Sequence, residues 1–409
     1  MTDILISGAG IAGPALAYWL RAAGHSVTVV ERSPGARPGG QAVDLRGAGR
    51  TVIERMGIMD RVRSVLLDQR GIAWVAANGR VTARMPVGAF DGEGIISEIE
   101  VLRDDLAHVL HEATAGGVEY RFGDTITALH QDADGVDVRF EQAPPRRFDL
   151  VVGADGLYSP VRAMAFGETG LHPLGCAMAW FSVPTDHLGG DLGGWYLTHN
   201  ASGGRVASVR PGRTPDIAKG GLGLRVDVAA PLPRDAAGQR DLLERRFADV
   251  GWKAPQLVEA MRTAPDFAFT SVAQVRLPRW SQGRVVLIGD AAACPTPLTG
   301  LGTSVALVQA YVLAGEIAAA GGDHQVAFDR YEQVTRPYVA TAQKLPPGGV
   351  NGYAPNSALL IRLQALSMRA MTRWPMRPLL ERQFAKAGDI ALPDYAPTGS
   401  TPARSTPAG

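Results

Sequence analysis

Glycines and acids meet at three places in this chain, each just after an apolar run that reads as a buried strand. The first is Gly8, Gly10 and Gly13, closed by Glu31. The second is Asp155 and Gly156, with Ser159 and Arg162 a few residues on. The third is Gly289 and Asp290, followed by Pro297, Gly300, Leu301 and Gly302. Glycines at a strand end let a phosphate approach the backbone. A helix starting there adds unpaired N–H groups and a partial positive charge. A carboxylate ending the next strand accepts hydrogen bonds from a ribose diol. The chemistry on offer is anion and diol binding. No Ser/His/Asp set or carboxylate pair stands out, and the 8 histidines lack metal spacing. We therefore name no catalytic side chain and no metal ligand.

The elements around the first glycines can be read directly. Asp3 to Ser7 predicts a strand, and an apolar helix starts near Pro14 and runs through Leu20. Gly24 and His25 turn the chain into a second strand, Val27 to Val30, that ends at Glu31. This is one βαβ unit. Gly8 permits the tight turn, Gly10 the approach of a pyrophosphate, and Gly13 close packing of the helix on the strand. Ile11, Ala12 and Arg32 belong to the same expected cradle. Glu31 disfavours a 2′-phosphate, so the bound nucleotide is expected to be FAD or NAD rather than NADP.

Further along, residues 48–67 read as helix, as does Arg103 to Ala115. From 174 short strands alternate with Gly and Pro turns, which predicts an antiparallel sheet inserted into the nucleotide-binding part. Residues 235–264 read as helix broken near Gly251, and Val305 to Ala320 as a long apolar helix. Asn356 or Ser357 caps a last helix that Pro375 and Pro378 must kink or end. The expected class is α/β: a Rossmann-like nucleotide domain with an inserted antiparallel-sheet substrate domain and C-terminal helices. The nucleotide domain takes residues 1–75, 100–172 and 270–345, and the substrate domain 76–99 and 173–269. A helical segment over 346–390 and a disordered tail over 391–409, rich in Pro, Thr, Ser and Ala, complete the division. Met178, Trp180, Tyr196, His199, Arg210 and Arg225 on the inserted sheet are the candidates for a substrate pocket.

Composition excludes several classes. A net charge of +1 argues against nucleic acid as a partner. No uninterrupted run reads as a membrane span; residues 305–320 come nearest, broken by Gln309 and Glu316. The start of the chain has no basic leader and goes straight into a strand, so no signal peptide is expected. Cys176 and Cys294, the 2 cysteines, lie far apart, and the plain reading is two reduced thiols in a cytoplasmic protein. A monomer or weak homodimer is expected.

The three glycine–acid segments, in this order and spacing, resemble the class A FAD-dependent monooxygenases, over about residues 1–345. The resemblance implies an FAD cofactor whose pyrophosphate lies on Gly8, Gly10 and Gly13, with its adenosine ribose on Glu31. It implies that Arg103 and Asp290 contact FAD, and that Pro297, Gly300, Leu301 and Gly302 lie beside the isoalloxazine. Asp155, Gly156, Ser159 and Arg162 match the segment linked to both FAD and pyridine-nucleotide use. The loop over 37–46 is most similar to the tetracycline-acting branch, where Arg37 would touch NADPH and Asp44 and Arg46 would lie near the flavin. The implied activity starts with reduction of FAD by NADPH or NADH. A flavin hydroperoxide formed with dioxygen then gives one oxygen atom to an aromatic or polycyclic, polyketide-like substrate. A phenol would lose its proton to water or to a pocket base that the sequence does not name. Baeyer–Villiger oxygenation of a ketone, or a reductase or dehydrogenase of the same fold, stays open. The chain departs from the family pattern at Ala293, Thr296 and Ser304, where His, Pro and Asn are frequent.

Overall fold

The computed structural model describes residues 1–35, 40–92, 94–167, 170–370, 388 and 390–395. Buried aliphatic runs such as Ile4 to Ile6 and Val151 to Val152 build a six-stranded sheet. Its order is Ser281–Gln282, Val285–Leu287, Leu150–Gly153, Asp3–Ser7, Ser26–Glu31, Glu119–Phe122. Neighbours run parallel except at the Ser281–Gln282 edge. The chain leaves Asp3–Ser7 toward Ser26–Glu31 on one side and returns at Leu150–Gly153 on the other. A crevice opens where strand order reverses in this way, beyond the carboxyl ends of the strands. Gly8 and Ala154 stand at that point. Gly8 has a φ of 108°, and a Cβ there would come within 2.5 Å of the Ala154 oxygen.

The second large sheet has seven strands: Ala268–Val275, Leu171–Pro184, Ile217–Arg225, Arg205–Pro211, Trp195–Ala201, Gly71–Val75, Val81–Pro86. It is antiparallel apart from one pairing, Trp195–Ala201 with Gly71–Val75, which is parallel. One edge strand and one strand next to the other edge come from segments that the sequence divides differently. Gly71–Val75 and Ala268–Val275, assigned largely to the nucleotide part, hydrogen-bond into this sheet. A strand joins the sheet where its backbone groups find partners, and two of those partners, Trp195–Ala201 and Leu171–Pro184, are remote in sequence. Helices Ala236–Phe247 and Ala254–Thr263 cover one face through Leu243, Phe247, Leu257 and Met261. Small ladders link Arg146–Phe148, Val136–Phe140 and Ile126–Gln131, and pair Ala42–Asp44 with Glu100–Leu102.

Helix Gly302–Ala319 is buried along almost its whole length, between helices Ala12–Ala22, Gly47–Arg55 and His324–Ala342. It is long and apolar enough to cross a membrane, but 83% of its residues are buried inside the fold. A helix apolar on every side is what such a core position requires. The helix expected over 48–67 divides into Gly47–Arg55 and Met59–Arg63, because Gly57 turns out of the helix at a φ of 70°. Ser357 accepts from the Leu360 N–H at 3.3 Å and caps Ala358–Ala370. Pro375 and Pro378 lie outside the described residues. The tail departs from the expected disorder at its start. Tyr395 lies against Gly315 and donates to Glu316 at 2.7 Å, and the Pro393 carbonyl accepts from Tyr311 and Arg55, both at 2.8 Å. Ring and carbonyl contacts there offset the cost of ordering a short segment.

Candidate active site

A cavity of about 1420 Å³ opens at the strand-order reversal and runs to the seven-stranded sheet. Gly8, Gly10, Ile11, Ala12, Glu31, Arg32, Asp44, Arg46, Arg103, Asp155, Asp290, Pro297, Gly300 and Gly302 all border it. Gly13, Gly289 and Leu301 stand behind them. A Cβ on Gly13 would fall 1.9 Å from the Gly8 oxygen, so only glycine lets the helix start this close to the strand end. Gly289 takes a φ of 60° beside Ala12, and its N–H donates to Gln309 Oε1 at 2.7 Å. Arg37 lies outside the described residues.

The polar groups of the cradle are oriented before any ligand enters. Glu31 accepts from the N–H groups of Ala9 and Ser33, each at 2.9 Å, and keeps lone pairs toward the cavity. The Arg103 side chain reaches the glycine loop, its Nη2 lying 3.4 Å from a Cβ placed on Gly10. No side chain among the described residues pairs with its guanidinium. Asp290 opens into the cavity opposite Gly302. Partial loss of hydration against the surrounding fold raises its carboxyl above the ordinary value, and a hydrogen bond with Cys294 and the charge of Arg103 oppose that rise. A free cation near a glycine turn, an acid open to the cavity, a held carboxylate and a helix N-terminus fit a dinucleotide with two phosphates and hydroxylated linkers.

The second segment works differently from the first. Asp155 Oδ2 accepts from Ser7 Oγ at 3.3 Å and from the Val161 N–H at 3.1 Å, and burial raises its carboxyl. Ser159 caps the helix Pro160–Phe166 by accepting from the Arg162 N–H at 2.9 Å. Arg162 is buried and donates to the carbonyls of Ala291 and Leu157, at 3.0 and 2.7 Å. Ser159 and Arg162 therefore brace the third segment against the second without bordering the cavity. Arg46 is also a brace. It donates to the carbonyls of Gly94 and Ile95 and pairs with Asp44 at 3.1 Å. Where the family often carries Asn, Ser304 donates to the Arg46 carbonyl at 2.9 Å. Thr296 takes a φ of 90°, strained for a side chain branched at Cβ, and its buried hydroxyl has no partner.

Four of the six substrate candidates, Met178, Trp180, Tyr196 and Arg210, border the far end of the cavity. His199 does not. Side chains alternate along a strand, and its neighbours Thr198 and Asn200 take the cavity face while His199 bonds the Val75 carbonyl at 2.9 Å. Arg225 lies at the far end of its strand, beside Cys176. Sequence reasoning passed over Glu100, a lone acid inside the apolar run Ile99 to Leu102, which is buried at the cavity wall. It also passed over Tyr353, whose ring fills the space left by Gly223. Both cysteines are free thiols. Burial pushes Cys176 up to about 11 and Cys294 well above its ordinary value. Among the described residues no cluster of His, Cys, Asp and Glu could hold a metal ion.

Comparison with known proteins gives this architecture a class. A family model for an FAD binding domain matches residues 1–344. An uncharacterized protein of Mycobacterium tuberculosis is 43% identical over 366 residues, covering 87% of this chain and 95% of that protein. A flavin-dependent monooxygenase of Legionella longbeachae is 35% identical over 347 residues, covering 83% and 87%. The crystal structure of the tetracycline destructase Tet(51) superimposes with a TM-score of 0.82 at 33% identity, covering 97% of this chain and 99% of that one. This chain belongs to the FAD-binding-domain family, among the class A flavin-dependent monooxygenases.

Proposed function

We propose that this chain places one oxygen atom of dioxygen on an aromatic or polycyclic small molecule, with NADPH or NADH as a transient reductant. One observation carries the reading. A single cavity joins the dinucleotide cradle to a wall built from Met178, Trp180 and Tyr196. Bound FAD would supply the redox and oxygen chemistry. The protein's own residues do the rest. The glycine loop, Glu31, Arg103 and Asp290 hold the two halves of the cofactor. The Pro297 to Gly302 loop borders the cavity, and the helix Gly302–Ala319 begins there, its first N–H groups unpaired within the helix. Trp180 and Tyr196 offer flat apolar surface that excludes water and fixes the face a ring presents. The solved relative's name, a tetracycline destructase, supports the polycyclic end of the range. The two free thiols fit a reducing, cytoplasmic setting. We propose a monomer or weak homodimer.

The test is a panel of phenolic and polycyclic compounds, scored first for stimulated NADPH oxidation and then for product mass under isotopically labelled dioxygen. One labelled oxygen per product molecule is the expected result. Product that forms without label, on protein with FAD bound, would point instead to a reductase or dehydrogenase. Label inserted beside a ketone would identify Baeyer–Villiger oxygenation on the same scaffold.

A further inference from the structure

Asp44 and Glu100 face each other as register partners in the ladder of Ala42–Asp44 with Glu100–Leu102. Like charges placed directly opposite destabilise such a ladder. Each is answered by an arginine: Arg46 pairs with Asp44 at 3.1 Å, and Arg210 pairs with Glu100. Arg210 also donates to Gln69 Oε1 at 3.2 Å and lies 4.6 Å from the centroid of the Tyr196 ring. The Glu100 side chain is only 5% exposed, and its Oε2 has no hydrogen-bond partner; neither has Arg210 Nε. Asp44, Glu100, Tyr196 and Arg210 all border the cavity. Asp44 Oδ2 lies 3.3 Å from a Cβ placed on Gly300. The cluster therefore stands where the cofactor loop meets the substrate strands. A buried acceptor left without a donor costs about 1–3 kcal/mol, and more when it is charged. Glu100 Oε2 is closed off while Arg210 covers the carboxylate, and a hydroxyl that draws the Arg210 side chain toward itself would reach Oε2 and remove that cost.

Resting on the monooxygenase reading above, we propose that Glu100 takes the proton of an acidic hydroxyl on the substrate while Arg210 holds the oxygen that gives it up. The substrate O–H bond breaks and an O–H bond forms at Glu100 Oε2. The electron pair stays on the substrate oxygen and makes the attached ring a better nucleophile; nothing is oxidised in this step. The groups facing Glu100 are Arg210 and, from the opposite strand and its end, Asp44 and Arg46, with neutral Gln69 beside Arg210 and Tyr196 beneath it. Burial pushes the Glu100 carboxyl up to about 7, with Asp44 adding to the rise and Arg210 and Arg46 opposing it. A carboxyl poised there accepts a proton near neutral pH and returns it when product leaves.

The FAD-loaded full chain and E100Q provide the test. Infrared difference spectra of ligand-free protein between about pH 5 and about pH 9 should show a protonated-carboxyl band titrating near neutrality in the wild type, well above an ordinary glutamate, and missing in E100Q. With a stimulating compound from the panel, wild-type kcat/KM should fall about tenfold per unit below pH ~7, while E100Q should lie roughly 100-fold lower and lack that acid limb. A band unchanged in E100Q, or an acid limb that E100Q keeps, overturns the proposal. If E100Q does not fold, E100D replaces it: a displaced acid limb supports the proton transfer and an unmoved one overturns it. If no compound stimulates NADPH oxidation although FAD is bound, the monooxygenase reading fails, and the infrared titration alone decides whether Glu100 exchanges a proton near neutrality.

Discussion

Asp290 and Arg103 are charged side chains that the cradle leaves open toward the cavity. Asp290 is set by the Gly289 turn, whose N–H is tied to Gln309. A hydrogen bond from a ligand hydroxyl to a carboxylate contributes about 1.5–3 kcal/mol, so Asp290→Ala should weaken FAD binding by roughly 10- to 100-fold. Flavin content after gel filtration and titration of apoprotein with FAD measure this; wild-type occupancy would remove Asp290 from the cradle. At this scale the sequence was readable where backbone demands were special. Gly8 and Gly13 stand where a Cβ would meet backbone oxygen. It was less readable for side chains that act through others. Arg162 reads as part of a cofactor segment, yet it is 6% exposed and spent on two carbonyl oxygens. His199 and Tyr196 read alike as cavity candidates, because nothing in the pattern told which face of Trp195–Ala201 would be turned inward.

Among the elements, the helix Ala12–Ala22 depends most sharply on one residue. Gly13→Ala would place a methyl 1.9 Å from the Gly8 oxygen, an immovable backbone atom. The strand end and the helix would have to separate, costing roughly 1–3 kcal/mol or more. A lowered Tm together with lost flavin is the expected pair of readouts, whereas retention of both would mean that the loop can relax. Gly49 imposes a similar fit on the other side of the core, since a Cβ there would come 2.7 Å from the Ser304 Cα. The βαβ unit and the long helix Gly302–Ala319 were legible because strand and helix periods are plain in those runs. The division of residues 48–67 into two short helices was not, because a single glycine inside an apolar pattern is compatible with either continuation or a break.

For the whole molecule, the described C-terminal elements touch both the seven-stranded sheet and the helix Gly302–Ala319. Helix Ala358–Ala370 borders the cavity through Leu360, Leu363, Gln364 and Met368, while Leu392 to Tyr395 docks on helices Gly47–Arg55 and Gly302–Ala319. Tyr395→Ala removes the ring over Gly315 and the hydrogen bond to Glu316, for an expected loss of about 1–3 kcal/mol. Thermal melts measure this, and an unchanged Tm would show that the tail contacts contribute nothing. Composition could not foresee the docking, because Pro, Asp and Tyr in a polar tail gain order only from the groove that Gly315, Glu316, Tyr311 and Arg55 present. Sheet membership was hidden for the same kind of reason: Gly71–Val75 takes its place from Trp195–Ala201, a partner remote in sequence.

The parallel pairing of Leu150–Gly153 with Val285–Leu287 brings Asp155 and Asp290 into one cradle across the whole inserted sheet. Loop-closure entropy grows only slowly with the length of such an excursion, so the native state tolerates it. The folding rate does not, because remote parallel pairings form late. The first glycine turn can close from local contacts alone, within its own βαβ unit. The Gly289–Asp290 half of the cradle must wait for the chain to come back. Cofactor capture therefore marks the end of folding rather than its beginning.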